Sequence, residues 1–337
     1  MRSASGNDLR KRYAAGVLDR RACLVSLGLL LSGCSAATPK AVVPTGGPWT
    51  TKLDETHALV GRVWDVKASA WVAEESVVAR LVAARFVLLG EQHDNADHHR
   101  LQARMLTALA QRGRTPVVVL EMVDRGRQTD LDATSQDTEA LPRVLEWDKS
   151  GWPPFAQYKP IFEAAIAGHL PLVAGNLSRP EAKAIVRGGV ATASPETQAL
   201  VASAAQLTPD QHASLDEELR ASHCGHLPET MVEGMAAAQV ARDASLADAM
   251  VKAGDRGAAL IAGAGHTRTD RGVPLQLAVR ANGQTTASLA FVEVQGGLAD
   301  PRDYAQRWGA SSLPFDFVWF TPRATDEDPC RLMGGRK

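Results

Sequence analysis

The sequence has few cysteines, no excess of positive charge and no long apolar run, three features that mark particular classes of protein. It has only 4 cysteines in 337 residues, too few for a scaffold built on disulfides. Its 37 Lys and Arg are balanced by 38 Asp and Glu, so it has no excess of positive charge to hold nucleic acid phosphates. Its one markedly apolar run is shorter than the roughly 20 residues that a membrane-spanning helix needs. We therefore expect neither a nucleic acid partner nor a transmembrane span.

The composition is that of an ordinary globular protein. Hydrophobic residues make up 45% of the chain and charged residues 22%, which argues against disorder, collagen and coiled coil. A chain of this length can bury a large core in one large domain or two smaller ones.

The apolar run lies near the N-terminus and has the proportions of a signal peptide. Arg20 and Arg21 precede roughly eleven mostly apolar residues. The run ends in Leu31-Ser32-Gly33-Cys34, which resembles the bacterial lipobox, where the Cys is acylated and the chain is cut before it. We predict a lipoprotein signal peptide over residues 1–33, with palmitate-type acyl chains on Cys34 attaching the protein to a membrane. The alternative is a plain secretory signal.

Residues 34–56 are rich in Ala, Pro, Gly and Thr and are predicted to form a flexible tether after the lipid. The folded domain is predicted to span residues 57–337. Outside the cytoplasm two remaining cysteines tend to pair. We therefore predict a disulfide between Cys224 and Cys330.

Short apolar runs alternate with amphipathic segments after residue 57. Strands covered on both faces are apolar at nearly every residue, and alternation with helices indicates parallel strands joined by helical crossovers. The sequence therefore predicts an α/β fold, a mainly parallel sheet flanked by helices in three α/β/α layers. The candidate strands are Phe86–Leu89, Val117–Leu120, Leu172–Ala174, Ala258–Ile261, Ser288–Val294 and Phe315–Phe320.

Two segments depart from this alternation. Residues 194–254 contain no convincing strand and are predicted to be an inserted helical subdomain. Residues 61–72 have the pattern of a hairpin ahead of the sheet.

Polar residues follow four of the predicted strands at the point where each strand ends. The carboxyl ends of parallel strands meet at one edge of an open sheet, where ligands bind. We expect the side chains there to converge. They are Glu91, His93, Glu121, Asn176 and His266.

Two histidines and two carboxylates suit a divalent transition metal, with zinc the usual candidate. The sequence has neither a paired-His metalloprotease helix nor a Gly-X-Ser-X-Gly nucleophile turn. A structural role is the alternative, in which Glu91 or His93 caps the following helix and His266 hydrogen-bonds a neighbouring loop.

An aromatic segment runs from Trp147 to Phe162 and contains Tyr158. Aromatic residues and prolines in a loop suit a flat apolar ligand, and a tyrosine oxygen can bind ferric haem iron. The alternative is a loop that packs its rings onto the body, with the hydroxyl satisfied locally. The segment His223–Pro228 is a further candidate for metal binding, unless Cys224 is used in the disulfide.

Taken together, the motifs resemble the ChaN-like haem-binding lipoproteins of Gram-negative bacteria. The matching stretches span roughly residues 57–295, and their order along the chain is more specific than any one of them. They are 87–95 with 98–102, 118–122, 147–162, 174–177, 238–243 and 261–266 with 272–274.

The resemblance implies a haem-binding lipoprotein of the outer membrane that holds or relays haem in iron acquisition, facing the periplasm or the cell surface. It implies a homodimer around a pair of stacked haems, with a tyrosine on the iron, and an outer-membrane haem receptor as a further partner. Tyr158 lies in a matching stretch and is the predicted ligand, with Tyr304 the second choice.

The family is related to erythromycin esterase and the TraB/TIKI proteins, and this relationship implies an alternative function. In those proteins Gly-Glu-X-His and Gly-X-X-His elements are associated with catalysis, and residues 90–93 and 263–266 occupy the corresponding positions. The alternative is a periplasmic hydrolase, metal-assisted or acting through histidine and glutamate. Its catalytic residues would be Glu91, His93, Glu121 and His266, with Glu91 or Glu121 as general base.

Overall fold

The structure, a computed structural model, describes residues 44–327 and Cys330. The predicted signal peptide, Cys34 and the first part of the tether lie outside the described residues. They remain predictions from the sequence.

An eight-stranded sheet forms the centre of the fold. Its order is β2-β1-β8-β7-β3-β6-β4-β5, and the strands from β8 to β5 pair in parallel, whereas the β1–β2 hairpin joins β8 antiparallel. The predicted mainly parallel sheet and the hairpin are confirmed. The strands are β1 Val63–Asp65, β2 Ala70–Val72, β3 Phe86–Glu91, β4 Val117–Asp124, β5 Leu172–Asn176, β6 Ala258–Gly263, β7 Thr286–Glu293 and β8 Phe317–Thr321.

Helices cover both faces of the sheet. The α-helices are α1 Glu74–Ala83, α2 Ala96–Gln111, α3 Gln128–Thr134, α4 Leu141–Val144, α5 Trp147–Ser150, α6 Phe155–Ala167, α7 Arg179–Gly188, α8 Pro195–Ala202, α9 Pro209–Ser222, α10 Glu229–Lys252 and α11 Val273–Arg280.

The alternation of side chains along each strand explains the three layers. On β3, Val87 and Leu89 belong to the core shared with α1, α2 and α6. Phe86 and Leu88 belong to the core shared with α10 and α11. Because successive side chains of a strand point to opposite faces, a strand buried on both faces must be apolar throughout. The predicted α/β/α layering follows from this packing and is confirmed.

The strand order places a topological switch point between β3 and β6. The connection from β3 to β4 runs through α2 on one face of the sheet. The connection from β6 to β7 runs through α11 on the opposite face. A crevice forms outside the carboxyl ends of strands where such connections diverge. The site described below lies at this position.

The predicted helical insertion contains no strand within its described residues 194–254. The last turns of α10 nevertheless belong to the body, because Leu246, Ala247 and Met250 are buried against the sheet. No helix among residues 44–327 is long and apolar enough to cross a membrane.

The folded body begins before the predicted start at His57. The backbone N–H of Thr45 donates to the carbonyl of Gly61 at 2.7 Å. The N–H groups of Thr50 and Thr51 donate to the carboxylate of Asp97 at 2.8–3.0 Å. The last part of the predicted tether therefore packs on the start of α2, and its high content of Pro, Gly and Thr concealed these contacts.

The structure joins Cys224 to Cys330 by a disulfide across 106 residues of sequence. The bond holds Cys330 against the loop between α9 and α10.

Candidate functional site

The five predicted residues lie together at one edge of the sheet. Glu91 and Asn176 end β3 and β5, and Gly263 ends β6 between β3 and β4. Glu121 lies in β4, three residues before its end at Asp124. His266 follows β6 in a 3-10 turn, Ala264–Thr267. All of these side chains except that of His93 are at least nine-tenths buried.

Glu91 and His93 form an ion pair at the end of β3. The Nδ1 atom of His93 lies 2.5 Å from Oε1 of Glu91. Burial alone would raise the pKa of Glu91, but the charge and hydrogen bond of His93 outweigh it and lower the pKa to about 2. Burial alone would lower the pKa of His93, but Glu91 raises it to about 9. The side chain of His93 is 45% exposed, so solvent weakens its charge interactions.

His266 lies between two carboxylates. Its Nδ1 is 2.6 Å from Oδ1 of Asp243, and its Nε2 is 3.2 Å from Oε1 of Glu121. Burial alone would lower the pKa of His266, but the two carboxylates raise it to about 10. Glu121 has a lowered pKa because His266 outweighs its burial, whereas burial raises the pKa of Asp243. His266 is therefore a buried imidazolium at neutral pH.

Backbone groups complete the cluster. The N–H of Gly263 donates to Oε2 of Glu121 at 2.7 Å, and the side chain of Asn176 donates to the carbonyl of Glu121 at 2.8 Å. A Cβ at Gly263 would lie 2.8 Å from the ring of His93. A side chain at this position would displace the His93 ring from its place beside the end of β6.

The cluster opens into a cavity of about 470 Å³, the edge cavity, lined by His93, Glu121, Trp147, Trp152 and Asn176. Charged side chains of both signs also line it. The cationic ones are Arg127, Lys149, Arg179 and Arg242, and the acidic ones besides Glu121 are Asp124 and Glu146. The predicted convergence of strand ends therefore forms one concave site of aromatic walls and mixed charge.

Tyr158 lies behind the wall of the edge cavity and does not line it. Its side chain on α6 is fully buried, with its ring 3.9 Å from the His99 ring and 6.3 Å from that of Trp152. Its hydroxyl has no hydrogen-bond partner within the described part of the chain. Burial and the nearby charge of Glu91 raise its pKa.

The second-choice tyrosine lies elsewhere. The hydroxyl of Tyr304 accepts a hydrogen bond from the N–H of Gln295 at 2.8 Å and donates to the carbonyl of Leu298 at 3.3 Å. Its hydrogen bonds are local, so it has no free group to offer a ligand. His223 and His226 line a separate cavity.

Among the described residues, no group of three or more His, Cys, Asp or Glu side chains is arranged to hold a metal ion. His266 contacts a carboxylate through each of its ring nitrogens, and His93 contacts one through Nδ1. The zinc alternative therefore gains no support from the geometry.

Three residues of the site were not singled out from the sequence, although Trp152 lies in the aromatic segment. Asp243 contacts His266 from α10, His99 stacks on Tyr158 from α2, and Trp152 covers His93 at 4.7 Å between ring centroids. The strand-end rule does not find residues on helices and loops. In the sequence, Asp243 could have been recognised as a candidate because it is a charged residue among the alanines of a helical segment.

The family model for haem-binding uptake, Tiki superfamily, ChaN, matches residues 77–277. A solved structure showing cofacial heme binding to ChaN of Campylobacter jejuni is similar at a TM-score of 0.61 and 22% identity, covering 76% of this chain and 95% of that chain. At this identity the likeness shows the fold. An erythromycin esterase mutant, EreC in its open conformation, gives a TM-score of 0.43 and 15% identity over 76% of this chain and 95% of that chain. No curated protein matches the chain.

Proposed function

Because the chain belongs to the haem-binding uptake family of ChaN, in the Tiki superfamily, we propose that it binds haem as a cargo in iron acquisition, with Tyr158 as the iron ligand. The observation that carries this assignment is the hydroxyl of Tyr158. It is buried behind the edge cavity and lacks a hydrogen-bond partner among the described residues. Buried polar groups nearly always have partners, so an exception requires an explanation.

The donor chemistry of the site suits haem. A tyrosine oxygen is an axial ligand of ferric haem in proteins. Burial and Glu91 raise the pKa of Tyr158, so the hydroxyl stays protonated until a cation stabilises the phenolate. Arg179 and Arg242 line the edge cavity and form no ion pair among the described residues, whereas Arg127 pairs with Asp130 and Glu146. Arg179 and Arg242 therefore suit the two propionates.

Access to Tyr158 requires a movement of the aromatic wall. Trp147 and Trp152 lie 5.2 and 6.3 Å from the Tyr158 ring, and both line the edge cavity. Trp152 belongs to the turn between α5 and α6, which ends at Pro153 and Pro154. Displacement of this side chain would connect the hydroxyl with the cavity.

The electrostatics of the strand-end cluster favour a structural role over a hydrolase. A general base works best when its pKa lies near the working pH. Glu91 and Glu121 instead have lowered pKa values because each pairs with a histidine. They stay paired anions at neutral pH, which makes them weak bases, so we do not propose the hydrolase as a second function.

The cellular setting of the proposal rests on the sequence. We propose that acyl chains on Cys34 anchor the protein to the outer membrane, that two copies dimerise on binding haem, and that an outer-membrane receptor supplies it. Mass spectrometry of the membrane-extracted protein tests the anchor. An N-terminus that is not an acylated Cys34 contradicts it.

Substitution of Tyr158 tests the iron ligand. We expect Tyr158→Phe to lose the ferric absorption bands of a tyrosine-bound haem and to weaken haem binding about tenfold or more, the effect of losing at least 1.4 kcal/mol. The fold should persist, because the change removes only an unpartnered hydroxyl. Absorption spectra during a haem titration give both readouts.

Tyr304→Phe is the matched control, because Tyr304 is equally buried but has local hydrogen-bond partners. It should leave the haem spectrum unchanged. An unaltered spectrum and affinity in Tyr158→Phe would remove Tyr158 as the ligand.

A further inference from the structure

A second cavity, of about 440 Å³, lies between α7 and the loop that leads into α10. Six of its lining residues define what we call the helical groove: Lys183, Arg187, His223, His226, Met231 and Met235. None of them takes part in the site proposed above. The sequence had marked His223–Pro228 as a possible metal-binding segment.

The walls of the helical groove are apolar and open to solvent. Met231 is 38% exposed, and among the large hydrophobic side chains of the described residues only Val279, at 57%, is also exposed. Val186, Leu227 and Pro228 complete the apolar lining. An exposed apolar concavity with a few polar groups is typical of a ligand site, and methionines adapt to flat ligands.

The groove also contains two histidines that are free to bind iron. Nδ1 of His223 lies 2.8 Å from the carbonyl oxygen of Leu219. A carbonyl only accepts, so Nδ1 carries the hydrogen and Nε2 keeps its lone pair. Metal-binding histidines are commonly held by such a second hydrogen bond. The His226 ring makes no hydrogen bond within the described part of the chain.

Positive charge lies on the same wall. Lys183 and Arg187 are four residues apart on α7 and therefore on one face of the helix. Neither forms an ion pair with any residue in 44–327. Two unpaired cations beside an apolar wall complement a flat ligand that carries two carboxylates.

The disulfide fixes the loop that presents the histidines. Cys224, between His223 and His226, is bonded to Cys330. Cys224 and Gly225 both have positive φ, 57° and 70°, so the loop turns sharply between the two histidines. The cross-link reduces the freedom of this turn before any ligand binds.

The helical groove is connected to the edge cavity. A third cavity, of about 220 Å³, shares Arg179 and Arg242 with the edge cavity. It shares Lys183, Val186 and Met235 with the helical groove. The three concavities therefore follow one another along the surface between α7 and α10.

We propose that the helical groove is a second haem site, in which His223 or His226 binds the iron and Lys183 and Arg187 bind the propionates. The choice of haem rests on the proposed function, but the residues are separate from Tyr158. Because the groove adjoins the edge cavity, we assign it the role of a transfer site, which receives haem from the edge cavity or delivers haem to it.

The experiment is a haem titration of the full chain followed by absorption spectroscopy. It compares the wild type with His223→Ala/His226→Ala, with Tyr158→Phe and with the triple variant. His212→Ala is the matched control, because His212 is exposed on the neighbouring α9 and does not line the helical groove. Circular dichroism checks that each variant is folded.

We expect the double histidine variant to bind one haem fewer per chain and to lose the histidine-type ferric bands. Tyr158→Phe should keep those bands, and the triple variant should show no saturable binding. Lys183→Ala/Arg187→Ala should weaken the histidine-type site about tenfold or more without changing its bands, as expected when charge-assisted hydrogen bonds are lost.

The outcomes separate the two proposals. A double histidine variant that matches His212→Ala in stoichiometry and spectrum overturns the second site alone. Loss of all binding in Tyr158→Phe also overturns the second site but supports the first. A wild type without saturable haem binding overturns both.

Discussion

At the scale of single residues, the most unusual feature is the buried imidazolium of His266. Two carboxylates, Asp243 and Glu121, raise its pKa to about 10. A group whose pKa is raised on folding stabilises the folded state most fully below its unfolded pKa, about 6.5 for histidine. This contribution to the free energy of unfolding is lost as the pH rises from about 6.5 through about 10. Alkaline pH should therefore weaken the strand-end cluster.

Asp243→Asn tests the cause of this shift. The variant removes one carboxylate and keeps a side chain of similar size, so the pKa of His266 should fall from about 10 towards its ordinary value. Glu121 remains and limits the fall. An NMR titration of the His266 ring measures the midpoint, with Asp255→Asn on the surface as the control. An unchanged midpoint in Asp243→Asn would show that Asp243 does not raise the pKa.

The sequence predicted which strand ends carry the site but not the state of its residues. The gathering of Glu91, Glu121, Asn176 and His266 follows from parallel strands alone. Their pairing does not, because Asp243 arrives from α10, whose rotation about its axis depends on packing. The full burial of Tyr158 likewise depends on how the turn at Trp152 folds over α6.

At the scale of elements, the apolar runs predicted all six core strands and the first residue of four of them, β3, β4, β5 and β6, but the last residue of none. β4 extends to Asp124, four residues beyond the predicted end at Leu120, and β8 begins at Phe317 instead of Phe315. Strand ends depend on hydrogen bonds to a neighbour, and a single sequence does not show the neighbour. The irregular register between β4 and β5 after Leu120 is one such feature.

The contact between α7 and α10 depends on one small residue. A Cβ at Gly234 would lie 2.1 Å from the carbonyl oxygen of Val186. Alanine gains about 1 kcal/mol of helix propensity, but overpacking against rigid backbone costs about 1–3 kcal/mol. We therefore expect Gly234→Ala to lower the free energy of unfolding, as measured by urea denaturation.

Gly296→Ala is the control for this prediction, because a Cβ there would meet nothing within 4 Å. It should leave the urea midpoint nearly unchanged. If Gly234→Ala is as stable as the wild type or more stable, the prediction is wrong. α7 and α10 would then be able to move apart at little cost in free energy.

At the scale of the whole molecule, the disulfide ties Cys330 to the loop between α9 and α10. The Cys224–Cys330 bond spans 106 residues. Removal of a native disulfide typically costs about 2–5 kcal/mol, largely by freeing the unfolded chain. We expect Cys224→Ser/Cys330→Ser to lower the melting temperature, and reductant to lower it in the wild type only. A melting temperature that is insensitive to both would contradict a structural role.

At this scale, the main difference between prediction and structure is the residue at which the folded body begins. The boundary near His57 followed from composition, because residues 44–56 are mostly Pro, Gly, Thr and charged residues, with Trp49 and Leu53 the only large apolar ones. Their backbone nevertheless has specific partners on the body, including the carboxylate of Asp97. A segment without an apolar pattern can still be fixed when a buried acceptor binds its N–H groups.

The attachment of this segment has a mechanical consequence. Asp97 holds Thr50 and Thr51 and lies three residues after Asp94, in the first turn of α2, directly after the loop that carries His93. A pull on the N-terminal segment would load the Thr45–Gly61 hydrogen bond first and then the bonds to Asp97. Asp97 therefore anchors this segment to the helix that follows the His93 loop.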